Sequence, residues 1–72
     1  MRFRVGDLVV MDRGVARFRI NHGGYGDYIL KVGVVVETRE HFEQETIVVK
    51  FPSAEPPQEW PGSHFEWIGT DK

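Results

Sequence analysis

The sequence predicts an all-β protein, a small antiparallel barrel of about five short strands with a long first loop. Valine-rich runs recur at "FRVGDLVVM" (residues 3–11), "VGVVVET" (32–38) and "TIVVKF" (46–51). Glycine- and proline-rich connections separate them, and almost nothing reads as helix. Closing such strands on themselves removes the sheet edges that would otherwise recruit other chains.

The first strand opens on the turn residues Gly6-Asp7 and continues as an apolar run. Nineteen residues follow, "DRGVARFRINHGGYGDYIL", too long a connection for a compact domain unless it has a role of its own. Within it "VARFRI" alternates apolar and basic residues and reads as an extended arm. The second strand places Val34 and Val36 in the core, with Val35 and Glu37 outward. In the third, Ile47, Val49 and Phe51 share the buried face, so the two pair antiparallel over one core. Between them "ETREHFEQE" contains helix formers but falls below the length an isolated helix needs, and reads as a wide, solvated hairpin loop or a single helical turn.

Residues 52–62, "PSAEPPQEWPG", hold all four prolines and exclude a central strand, leaving a stiff connection. The last element, "SHFEWIG" (63–69), puts Phe65 and Trp67 on one side, which assigns Trp67 to the core. Trp60, between Glu59 and Pro61, is the tryptophan expected to be exposed, or else to fold back as a lid.

Seventy-two residues, taken as one domain spanning 1–72, bury only about 60% of the surface the unfolded chain exposes, which leaves little room for an internal active site. Cysteine is absent, so neither disulfides nor thiolate zinc ligands supplement the core. No run approaches the ~18 apolar residues of a membrane span, and "MRFRVGD" lacks the apolar core of a secretory leader, so the expectation is a cytoplasmic protein with no membrane insertion. The net charge of −2 divides unevenly. Residues 1–39 carry seven Lys/Arg against four Asp/Glu (+3), and residues 40–72 two against seven (−5).

Catalysis finds no support. His22, His41 and His64 are widely spaced, whereas zinc ligands usually include a close pair, so no metal site and no cofactor is expected. "HGGYG" (22–26) lacks the Gly-x-Ser-x-Gly partner of an oxyanion loop and the Gly-Lys-Ser/Thr of a phosphate cradle. Its glycines read as loop glycines. Nothing marks a base for Ser53 or Ser63. The candidate binding residues are Arg13, Arg17 and Arg19 beside Phe18, Tyr25 and Tyr28, together with Trp60. Arginine forks hold carboxylates or phosphates, and aromatic faces stack on bases or pack on peptides, so the mixture suits protein or nucleic acid.

In its order of elements, "VGDLVV", long loop, "VGVVVE", "IVVKF" and "HFEWIG", the chain resembles the SH3-like barrels. The Gly-x-Val strand followed by an alternating strand is similar to KOW and Tudor-like modules, which bind nucleic acid or protein tails. The whole order also resembles the electron-transport accessory barrels: the small barrel protein of photosystem I, the variable chain of ferredoxin-thioredoxin reductase and the barrel of the nitrile hydratase β-subunit. Val5-Gly6-Asp7, Gly33-Val34-Val35, Val49-Lys50-Phe51 and Phe65 carry that likeness. "EWI" stands where those accessory chains often have "DEL", and the proline-rich insert is additional. The resemblance implies a non-catalytic accessory or regulatory module that docks on a larger protein or enzyme assembly. The alternative is a weak nucleic-acid-binding module using the arginine-rich first loop, against which the net negative charge weighs.

Overall fold

A glycine turn starts the sheet. The computed structural model describes residues 2–22, 31–52 and 55–70. At Arg4-Val5-Gly6-Asp7 the Asp7 N–H donates to the Arg4 carbonyl at 3.0 Å, and Gly6 sits at φ +96°. That is the position of a type II turn that glycine fills without steric cost. The buried Asp7 carboxylate accepts the Arg4 N–H at 2.9 Å and closes the turn from the other side.

β1 (Asp7–Met11) follows, with Asp7, Val9 and Met11 inward. α1 (Arg13–Asn21) comes next, then β2 (Gly33–His41), β3 (Gln44–Lys50) and β4 (Gln58–Pro61). A 3₁₀ turn (Gly62–His64) leads directly into β5 (Phe65–Thr70). The five strands form one antiparallel sheet in the order β4-β3-β2-β1-β5, so the protein is all-β with one short helix. The sheet curls until its two edge strands meet: Trp60 of β4 and Phe65 of β5 stand edge to face at 5.7 Å. Phe3 plugs the interior and is held by its N–H donating to Glu45 at 2.9 Å. Among the described residues no helix is long and apolar enough to cross a membrane.

Ile47, Val49 and Phe51 are buried as their alternation predicts, but the phase of β2 is not as expected. Val35 is fully buried, Val34 is half-buried and Val36 is exposed. The cause is a bulge. Val35 pairs with Val49 and Glu37 with Val48, leaving Val36 as an extra residue without a partner across the ladder. The two tryptophans are also reversed. Trp60 is 7% exposed and Trp67 is 54% exposed. Trp60 aligns with Ile47 on the inner face of β4, an edge strand, where proline is tolerated because one side of the ladder is unpaired. Trp67 lies opposite Val9 on the other edge strand, beside the irregularity that leaves Ile68 without a partner across the ladder, and stays half-exposed there.

"VARFRI" is helix rather than extended arm. Asp12 caps it, its carboxylate accepting from Gly14 N–H at 3.0 Å and Val15 N–H at 3.3 Å. Six residues are too few for alternation and helical periodicity to be told apart, and Val15, Phe18 and His22 fall on one helical face. The centre of "ETREHFEQE" is no wide loop either. β2 and β3 continue to a two-residue turn with Phe42 at φ +50° and Glu43 at φ +67°, the type I′ geometry whose twist matches that of the strands.

Candidate functional site

The first connection contributes a helix, and the helix builds a groove. α1 lies with Ala16 buried against the core and Val15 packed beside it. The Asp12 N–H donates to the His64 carbonyl at 2.8 Å, fixing the start of the helix to the 3₁₀ turn. Near its other end the Arg19 guanidinium covers the Trp60 ring, 4.8 Å from the centroid. A mostly apolar groove of about 630 Å³ opens along this junction, lined by Asp12, Gly14, Val15, Phe18, Arg19, His22 and His64. A second recess of about 420 Å³ adjoins it, sharing Arg19 and His64 and adding Gln58, Glu59, Trp60 and Pro61.

Two aromatic rings shape the groove wall. Phe18 is 61% exposed and stacks on His22 with centroids 4.0 Å apart. The His22 ring is oriented by its Nδ1, which donates to the Phe18 carbonyl at 2.9 Å. A large apolar side chain is therefore stacked on one face while still facing water. His64 closes the lining on the side of the 3₁₀ turn, with its Nδ1 buried and without a hydrogen-bond partner among the described residues.

The predicted binding residues fare unevenly in placement. Arg13 and Arg17 stand exposed on α1, and Arg19 is half-buried over Trp60. Trp60 does not project to solvent; it forms the floor beneath Arg19 and backs onto Phe65. Tyr25 and Tyr28 lie outside the described residues. The grouping of Val15, Phe18 and His22 with His64 escapes sequence reasoning. The signal available is the i, i+3, i+7 spacing of the first three behind the Asp12 cap.

A polar network covers the outer face of β2, β3 and β4. Glu59 accepts from Thr46 Oγ1 at 2.8 Å and from Arg39 at 3.2 Å, and lies 3.5 Å from His41 Nε2. Arg39 also pairs with Glu37. The Thr46 hydrogen bond, followed by the Arg39 and His41 charges, holds the Glu59 carboxyl below the usual carboxylate range. The hydrogen bond that Arg39 donates to Glu37 raises the pKa of the guanidinium. No group of three or more His, Asp or Glu suited to a metal ion occurs among the described residues. The arrangement offers recognition chemistry: an apolar slot and guanidinium groups on its helix. Comparison with protein-family models, curated proteins and solved structures finds no match to this chain.

Proposed function

We propose that this chain is a non-catalytic protein-interaction module of SH3-like barrel type, cytoplasmic and accessory to a larger assembly, and that the α1 groove is its docking site. The observation that carries the reading is Phe18, a stacked and largely exposed aromatic on the wall of an apolar groove. Exposed aromatic anchors in concave, mostly apolar sites are where binding energy concentrates in protein interfaces. The SH3-like reading is supported by the curled five-strand sheet, the long connection after β1 and the central β2–β3 pair. In many such barrels an aromatic groove accepts a peptide.

Nucleic acid is the weaker reading. Arg19 is engaged over Trp60, which leaves Arg13 and Arg17 as the fully exposed arginines of the helix, on a domain of net charge −2. Phosphate neutralisation scales with the number of contacts, and two or three cations give only weak, salt-sensitive binding. A photo-crosslinking amino acid at position 18 tests the choice in cells. The expected result is a discrete protein adduct that is absent when the same crosslinker replaces Glu66 on β5. Adducts to nucleic acid, or equal labelling from both positions, overturn the proposal.

A further inference from the structure

The tip of the β2–β3 hairpin works against the stability of its own fold in three ways. Phe42 is 99% exposed, so its ring gains almost nothing from the core. Its backbone sits in the left-handed region, φ +50°, where Asn or Gly is favoured at this turn position and a bulky side chain is not. Two pairs back from the turn, Glu40 stands directly across the ladder from Glu45, and like charges so placed repel. Glu45 has a structural task there, since it holds the Phe3 N–H, whereas Glu40 has no partner among the described residues. Local rules broken together at one exposed point mark a site that serves something other than folding.

Phe42 supplies an anchor, and its neighbours set the charge of what it meets. Residues 37–45 hold four glutamates and one arginine, a net −3, where the whole chain carries −2. Arg39 is occupied by Glu37 and Glu59, and the His41 ring faces Glu59. Glu40 and Glu43 flank the tip, both exposed and neither with an ion partner among the described residues. A protruding apolar ring between uncompensated carboxylates is complementary to an apolar slot bordered by cations. Phosphate-bearing partners do not fit, because the same carboxylates repel nucleic acid and anionic lipid headgroups.

We infer that the hairpin tip is a second docking surface, where Phe42 enters an apolar pocket bordered by Lys or Arg on a foreign protein. The surface is separate from the α1 groove, whose lining includes no residue of the hairpin. Pairing runs without interruption from Glu37–Val48 to His41–Gln44, so the ring is carried on a paired arm and not on a loose loop. A contact centred on one side chain lies at the small, transient end of the interface range, and its electrostatic part weakens in salt.

A photo-crosslinking amino acid in place of Gln44, beside the turn, reads the contact in cells while leaving Phe42 intact. The expected result is a discrete protein adduct whose mapped segment is apolar with Lys or Arg beside it. Phe42→Asn suits the turn better, so it should raise the thermal midpoint by about 2–5 °C. The same substitution should reduce the adduct about tenfold or more. Glu40→Lys combined with Glu43→Lys relieves the repulsion with Glu45 and should also reduce the adduct severalfold. A lower midpoint for Phe42→Asn would show that the ring serves the fold, and it overturns the inference. So does an adduct indifferent to Phe42→Asn or to the charge reversal, an adduct to a second copy, nucleic acid or lipid, or no adduct at all. Labelling from position 18 is a separate readout: if it persists while position 44 yields nothing, the hairpin surface is overturned and the groove reading stands.

Discussion

The Arg19 guanidinium lies 4.8 Å from the centroid of the Trp60 ring and joins the only described helix to the edge of the sheet. Arg19 is in the last turn of α1, where a cation is favoured by the helix dipole, and its planar face meets a largely desolvated indole. Replacing Arg19 with Ala removes both effects and is expected to lower stability by about 1–2 kcal/mol. Arg19→Lys keeps the charge at the helix end but loses the flat guanidinium, and is expected to fall between the two. Urea unfolding in a Trp67→Phe background, where Trp60 is the sole indole emitter, measures the midpoint shift. Equal midpoints for the Ala variant and the parent would show that the contact is incidental.

The two tryptophans differ in burial, and their truncations should differ accordingly. Trp60 backs onto Phe65 and aligns with Ile47 inside the sheet. Trp60→Ala opens a cavity and is expected to cost about 3–5 kcal/mol, enough to unfold a domain of this size. Trp67→Ala removes a side chain that is 54% exposed and is expected to cost about 1 kcal/mol or less. Acrylamide quenching gives an independent check, because Trp67 emission should be quenched and Trp60 emission protected. Similar losses from both truncations would contradict the packing described.

These two residues also show where sequence reading succeeds and where it stops. Strand positions rich in β-branched residues are legible because Ile47, Val49 and Phe51 alternate without interruption. The phase of β2 is not, because "VVV" alternates equally well from either start and only the bulge at Val36 settles it. Trp60 reads as exposed because prolines surround it, yet an edge strand accepts them. The tight turn at Phe42-Glu43 carries none of the residues that usually signal positive φ. Of the site, the arginines and Trp60 are legible as chemical types. Their assembly with Phe18, His22 and His64 depends on a helix whose only firm signal is the Asp12 cap.

Gly33 pairs with Val9 at the start of β2, where the sheet leaves no room for a side chain. A Cβ there would overlap Val49 Cγ1 and stand 3.1 Å from the Phe51 ring. Both neighbours are buried, and Val49 is β-branched with little rotamer freedom. Gly33→Ala is therefore expected to destabilise by about 1–3 kcal/mol, despite the alanine's better backbone entropy. The double variant Gly33→Ala with Val49→Ala should recover part of the loss if overlap is the cause. Calorimetric midpoints of the single and double variants decide it, and a double variant whose loss equals the sum of the singles would exclude steric coupling.

Glu59 ties the outer face of the sheet to pH. Its folded-state acidity is strengthened by the Thr46 hydroxyl, then by Arg39 and His41, so its pKa lies below the unfolded value near 4.5. A depressed carboxyl contributes stability that is present above the unfolded pKa and lost as pH falls through the folded one. Wild type should therefore exceed Glu59→Gln in thermal midpoint at pH 6–7, and the two curves should converge below about pH 4. Because Glu59, Arg39 and His41 all face solvent, the gap is modest and should narrow in ~0.5 M salt. Midpoints measured from pH 3 to 8 at two salt concentrations test both statements. Parallel curves for wild type and Glu59→Gln across that range would show that the network holds the strands in place without stabilising them.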